Sequence, residues 1–242
     1  MHWERFSYDY RLDLTADALL RALTTIEAYK EAALNLVLPP DWRNQLDRLN
    51  RVRAVHGTTA LEGNPLSEAE VSHQMDILDQ ADGVQPSKAP TKEQLQIRNA
   101  GLAQAWVRKR FSPGSPPLRR EDLLGMHRMV TEHSDTHNNV PGRWRTFSVV
   151  IGSPEMGGVH RGAPHERLER LMDEYIEFVN HPRLIAGHPV IRALLAHFFL
   201  VTIHPFGDGN GRVSRLVEGR YPIPARIQRP RLLWPVKLLL PA

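Results

Sequence analysis

The sequence predicts an all-α bundle interrupted by one short β-hairpin. Three observations carry that expectation. Apolar residues recur at helical spacing over most of the chain, helix-start patterns follow the proline- and glycine-rich breaks, and one central stretch exchanges the helical pattern for β-branched residues and glycines.

Taken in order, Leu19, Leu20, Leu23, Ile26 and Ala32 place a first helix from Thr15 to about Leu36, ended by Pro39 and Pro40. A second helix is expected from Asp41 as N-cap to Leu61, with Leu46, Leu49, Val52 and Val55 on one stripe. It stops at Glu62-Gly63-Asn64-Pro65, where glycine serves the C-terminal turn and proline cannot continue it. Ser67-Glu68-Ala69-Glu70 has the reciprocal Ser-x-x-Glu cap pattern and opens a third helix to about Leu78. Gln80 to Pro90 reads as a linker or long loop. Thr91-x-x-Gln94 starts a helix to about Lys109, and after the break from Ser112 to Pro117 the segment Leu118 to Thr131 is helical again. Between Trp144 and Val159, the residues Phe147, Val149, Val150 and Ile151 favour extended backbone, and Gly152, Gly157 and Gly158 supply turns for a hairpin. Helices resume from Pro164 to Val179 and from Pro189 to about Ile203. There is no internal repeat.

Composition narrows the class. A chain of 242 residues with 41% hydrophobic and 24% charged residues fits one soluble domain, with or without an appendage. The absence of cysteine excludes disulfides and thiolate metal sites. Met1-His2-Trp3-Glu4-Arg5 leads into mixed polar sequence unlike a signal peptide, and no apolar run suits a membrane span, so the expectation is a cytoplasmic protein with no membrane partner. The net charge of +4 suits an anionic ligand and is too mild to name nucleic acid as a partner. The 12 histidines show no His-Glu-x-x-His spacing, which leaves a zinc hydrolase without its ligands.

The chemistry concentrates in residues 204 to 215, His-Pro-Phe-Gly-Asp-Gly-Asn-Gly-Arg-Val-Ser-Arg. The preceding segment is apolar on nearly every face and reads as a buried central helix with His204 at its C-terminal end. Gly207, Gly209 and Gly211 let the backbone of Gly207 to Gly211, Asp208 and Asn210 included, take positive φ and aim several N–H groups at one anion. A helix starting near Gly211 adds its own unpaired donors. Arg212 and Arg215 share a helix face beside this turn, and guanidinium forks match phosphate oxygens. Asp208 places one carboxylate in a cationic pocket, where holding Mg²⁺ against phosphates is its natural use. His204 is placed to act as general base towards a hydroxyl. The competing reading is a glycine-rich turn with a helix cap, solvated arginines and a structural histidine.

This segment resembles the signature of the Fic family, His-x-Phe-x-(Asp or Glu)-Gly-Asn-Gly-Arg-x-x-Arg, at every fixed position, whereas Doc-type kinases carry lysine where Gly211 stands. The resemblance implies a Fic-type helical bundle with a β-hairpin flap, and transfer of AMP from ATP to a Tyr, Thr or Ser hydroxyl of a target protein. It assigns His204 as base, Asp208 as the Mg²⁺ ligand, Arg212 to the inner phosphates and Arg215 to the γ-phosphate. Thr58-Thr59-Ala60-Leu61-Glu62-Gly63-Asn64 resembles the family's inhibitory motif, (Ser or Thr)-x-x-x-Glu-(Gly or Asn), in the class that carries it on an N-terminal helix. Glu62 is then implied to occupy Arg215. Pro141 to Arg145 and the stretch Val149, Val150, Ile151 and Gly152 resemble the flap, the latter bordering the nucleotide. His188, Pro189 and His197 resemble the family's central helix.

These signals divide the chain into an N-terminal helical region (1–88), a catalytic core (89–219) and a proline- and arginine-rich tail (220–242). The tail departs from the family, which continues with further helices there. The expected partners are ATP and a target protein, which could be the protein itself, with a homodimer also allowed. Two rivals remain open at this point: removal of AMP by the same pocket, and a non-catalytic module that binds a partner or nucleic acid.

Overall fold

The computed structural model describes residues 3–13, 16–80, 89–112, 116–133 and 138–220. Nine α-helices and a two-stranded ribbon make up the described residues: α1 Asp17–Asn35, α2 Pro40–Ala60, α3 Glu68–Gln80, α4 Lys92–Arg110, α5 Arg120–Thr131, β1 Val150–Ser153, β2 Gly158–Arg161, α6 Leu168–Asn180, α7 Pro182–Ile185, α8 Pro189–Ile203 and α9 Asn210–Glu218. The all-α fold with one hairpin is the expected one. The core of the linker (81–88), part of the proline-rich break (113–115) and the tail from 221 onward lie outside the described residues.

The start signals act as read for two helices. Thr91 accepts the Gln94 N–H while Gln94 accepts that of Thr91, closing the cap of α4. Ser67 and Glu70 do the same before α3. For α2 the expected cap is corrected: Asp41 lies inside the helix, Pro39 is the N-cap, and Pro40 takes the first position. Proline is well suited there, because its fixed φ is helical and its missing N–H would have had no partner. Similarly, Leu118 and Pro164 precede their helices by short non-α segments, and the four-residue α7 was not anticipated.

Two apolar clusters organise the bundle. The larger joins α4, α5, α6, α8 and α9 around residues such as Met126, Leu171, Tyr175, Leu200, Phe206 and Val213. The smaller joins Val52 and Val55 of α2, Val71 and Met75 of α3, and Ile97 and Ala100 of α4. Each such side chain contributes roughly 1.5–3 kcal/mol relative to exposure. Because α4 has a face in both clusters, it fixes the C-terminal end of α2 beside α9. The stripe of α2 is shorter than expected, since Leu46 and Leu49 are exposed.

The central helix α8 is not buried on every face. Leu200 and Ile203 are inaccessible, but Phe198 is 56% exposed. Its apolar sequence therefore exceeds what the described fold covers. The N-terminal segment, mixed polar by sequence, places Trp3, Phe6 and Tyr8 against the larger core. In the ribbon, β1 and β2 are antiparallel with Ile151 opposite His160 and Gly152 opposite Val159. Val150 and Val159 point outward while Ile151 and His160 are half-buried.

Candidate active site

His204 caps α8 in the left-handed region, with φ 55° and ψ 61°. A non-glycine residue there is strained, and the surroundings hold it. Its N–H donates to the Leu200 carbonyl at 2.9 Å. Its own carbonyl accepts Nε of the buried Arg145 at 2.7 Å. Arg145 also donates to the carbonyls of Phe147 and Ala163, and its N–H donates to the Pro205 carbonyl at 2.9 Å. One guanidinium thus joins the flap segment to the turn around His204, and burial holds its pKa below the usual arginine value.

The His204 ring is oriented for proton acceptance. Nδ1 lies 3.3 Å from the Val201 carbonyl. A carbonyl only accepts, so Nδ1 carries the hydrogen and Nε2 keeps its lone pair. Burial, with Arg145 and His160 nearby, pushes the pKa down to about 4, so the imidazole is neutral at pH 7.

The glycine loop is built on Phe206, which is inaccessible and stacked on His127 with ring centroids 3.9 Å apart. Asn210 locks the loop in two bonds: Oδ1 accepts the Phe206 N–H at 2.9 Å, and Nδ2 donates to the Phe206 carbonyl at 3.0 Å. His127, also inaccessible, accepts the Gly142 N–H on Nδ1 at 3.0 Å, so Nε2 carries the hydrogen it donates to the Asp208 carbonyl at 3.1 Å. Burial lowers its pKa to about 4 as well. Gly209 turns the chain at φ 75° as N-cap of α9.

The expectation of a nest of open amides is narrowed. The N–H groups of Phe206, Asp208 and Gly209 are spent within the protein, on Asn210, Asn139 and the Asp208 carboxylate. Donors for an anion come instead from the start of α9, at Asn210 and Gly211, which as first-turn residues have no intrahelical acceptor.

The two arginines diverge. Arg212 is 3% exposed, donates to the Val130 carbonyl at 2.9 Å and meets the Asp208 carboxylate at 3.2 Å. Arg215 reaches to α2 instead: Nε donates to the Thr58 hydroxyl at 2.7 Å and Nη2 to Glu62 Oε1 at 2.5 Å. Glu62 and Arg215 are mostly withdrawn from water, with side chains 27% and 12% exposed. The end of α2 explains the Glu-Gly-Asn sequence. Gly63 at φ 85° lets the Asn64 N–H bond back to the Thr59 carbonyl, and the Asn64 amide donates to the Glu93 carbonyl and Gln96 of α4.

Asp208 is the one carboxylate in the loop, with its side chain 32% exposed. Among the described residues, no group of three or more His, Asp or Glu could hold a metal unaided. Mg²⁺ ordinarily keeps waters and shares one or two carboxylates with substrate phosphates, and Asp208 fits that mode. Of the flap residues, Gly152 and Val150 are exposed, and Val149 accepts the Gly162 N–H at 3.2 Å. The supporting residues His127, Arg145, Thr58 and Asn139 carry no sequence signal of these contacts, although Arg145 and Thr58 lie inside the flap-like and Glu62-bearing segments.

A bundle with a neutral histidine at the end of its central helix, a glycine loop opening the next helix and an arginine of that helix held from α2 defines a class. The profile of the Fic/DOC family matches residues 117–220. Protein adenylyltransferase Fic of Aedes aegypti is 28% identical over 86% of this chain and 36% of its own length. Protein adenylyltransferase fic-1 of Caenorhabditis briggsae is 32% identical over 67% of this chain and 30% of its own. Among solved structures, a Fic family protein from Desulfovibrio desulfuricans superposes with a TM-score of 0.69 at 23% identity, covering 89% of this chain and 59% of that one. Fic-1 from Caenorhabditis elegans gives a TM-score of 0.69 at 24% identity over 86% of this chain and 58% of that one. The chain belongs to the Fic/DOC family. It spans about a third of the length of these curated relatives. No helix among the described residues is long and apolar enough to cross a membrane.

Proposed function

We propose that this protein is an adenylyltransferase that moves AMP from ATP to a side-chain hydroxyl of a target protein, and that Glu62 holds it in check. The observation that carries the chemistry is His204: a neutral imidazole with Nδ1–H committed to a carbonyl and Nε2 left as acceptor. The relatives named protein adenylyltransferase support the choice of group.

In this reading the target hydroxyl oxygen attacks the α-phosphorus of ATP while its proton passes to His204 Nε2. The bond from the α-phosphorus to the bridging oxygen breaks, and pyrophosphate leaves in line. A positioned base of this kind is worth on the order of 10²–10⁴-fold. The α9 amides at Asn210 and Gly211 bind phosphate oxygens, and Arg212 keeps Asp208 and the end of α5 in register with them. Asp208 would hold Mg²⁺ jointly with the phosphates, and the ion would supply positive charge for the pyrophosphate leaving group. Arg215 orients the γ-phosphate once Glu62 has left it. With Glu62 in place, that phosphate meets a carboxylate where it needs a cation, and ATP sits unproductively.

Intact-mass analysis of wild type, Glu62→Gly and His204→Ala with Mg²⁺ and each nucleoside triphosphate tests the proposal. An AMP adduct in Glu62→Gly that His204→Ala in the same background abolishes is expected. A phosphate adduct, an adduct from another nucleotide, or AMP release from a premodified protein without any transfer would replace it.

A further inference from the structure

The N-terminal segment takes no part in this chemistry, yet it crosses the molecule towards the flap. Tyr8 anchors it: the ring stacks on Phe178 of α6 with centroids 5.3 Å apart, and the hydroxyl donates to the Leu171 carbonyl at 2.5 Å. Phe6 meets Phe199 of α8 edge-on at 6.1 Å, and Trp3 lies 5.0 Å from Phe6. The run ends where Trp3 sits edge-on to His160 of β2, with centroids 6.4 Å apart. His160 in turn donates from Nε2 to the Thr202 carbonyl at 2.7 Å, in the last turn of α8 just ahead of His204.

We propose that residues 3–10 form a strap that positions the flap, with Trp3 and His160 as positioning residues holding β2 against the turn that bears His204. Two features separate this from ordinary core packing. A ribbon of two four-residue strands is not stable by itself, so its place depends on what grips it from outside. The grip is one-sided, because the register partners Ile151 and His160 share the half-buried face while Val150 and Val159 are 61% and 57% exposed. Arg145 ties the two ends of the ribbon, at Phe147 and Ala163, to the same turn, and the Trp3 ring and the bond to the Thr202 carbonyl hold its middle at His160. A flap strand can hold an extended target segment edge-on by main-chain bonds, and the strap sets where that edge lies. That functional consequence, though not the strap itself, rests on the transferase reading.

Hydrogen–deuterium exchange on the full chain tests the strap directly. Trp3→Ala and His160→Phe are expected to speed exchange several-fold across residues 150–161 and to leave α6 and α8 protected. His160→Gln, which keeps an N–H donor for the Thr202 carbonyl, should return the flap towards wild-type exchange. Unchanged flap exchange in both Trp3→Ala and His160→Phe overturns the proposal, as does acceleration spread through α6 and α8, which marks plain core packing. In a Glu62→Gly background, Trp3→Ala should lower kcat for automodification by a larger factor than it raises the KM for ATP. Absence of labelling in Glu62→Gly itself would count against the transferase reading, whereas the exchange data judge the strap alone.

Discussion

His127 and Phe206 stack face to face, 3.9 Å between centroids and 16° between planes, and the same imidazole bonds the Asp208 carbonyl. One side chain of α5 therefore supports both the apolar and the polar half of the glycine loop. His127→Phe keeps the stacking surface but leaves the Gly142 N–H and the Asp208 carbonyl without their buried partner. Each such loss costs about 1–3 kcal/mol. We expect a fall in Tm of several degrees together with weaker ATP binding, measured by thermal unfolding and by titration of Glu62→Gly with nucleotide. A variant that keeps both would remove His127 from the loop's support.

The Glu62–Arg215 pair gives a second prediction. A charge-assisted bond between groups mostly withdrawn from water is worth about 1.5–3 kcal/mol, and each 1.36 kcal/mol is about tenfold in rate. Glu62→Gly should raise automodification with labelled ATP by roughly ten- to a hundredfold. Glu62→Gln, which can still bond Arg215 but carries no charge, should fall between. Equal labelling in all three proteins would leave Glu62 with no inhibitory role.

For His204 the sign of the pH effect follows from burial. Its folded pKa, about 4, lies below the ordinary histidine value. The basic form is therefore already dominant at pH 6, and the acid limb of kcat for Glu62→Gly should fall near pH 4 to 5 instead of near 6.5. Stability carries the same signature. As pH falls below about 6.5 the unfolded chain takes the proton first, so this residue's contribution is lost down to about pH 4, by at most about 1.4 kcal/mol per pH unit. Tm should therefore drop less steeply over that window in His204→Ala than in wild type. An acid limb at pH 6.5 would mean a solvated imidazole.

How far the sequence foretold this site depends on where each residue's partner lies. His204, Asp208, Arg212, Arg215 and Glu62 fall in two short contiguous motifs, so spacing alone reached them. His127, Arg145 and Asn139 act on backbone groups remote in the chain, and no periodicity marks such contacts. The helices with side-chain caps at Thr91 and Ser67 were legible because capping is local. The strap was not, since Trp3, Phe6 and Tyr8 follow no regular period and acquire meaning only against α6 and α8. The spread of Arg212 and Arg215 to different helices was likewise hidden, because a shared helix face fixes where side chains start and not where they end.

Gly211 supplies the last prediction, one whose sign reverses with background. A Cβ there would lie 2.5 Å from Glu62 Oε1 and 3.0 Å from Arg215 Nη1. The residue is helical, not left-handed, so alanine suits its backbone. In wild type, Gly211→Ala must shift the flexible end of Glu62 and weaken its bond to Arg215, which outweighs alanine's helix preference only slightly, so it should destabilise by up to about 1 kcal/mol. In Glu62→Gly the obstacle is gone, the arginine end can shift, and the helix preference of alanine over glycine, up to about 1 kcal/mol, should emerge as a gain. Chemical denaturation of the four proteins in the cycle measures this. Additive effects would mean that Glu62 does not occupy the space beside Gly211 in solution, and the autoinhibitory geometry would have to be abandoned.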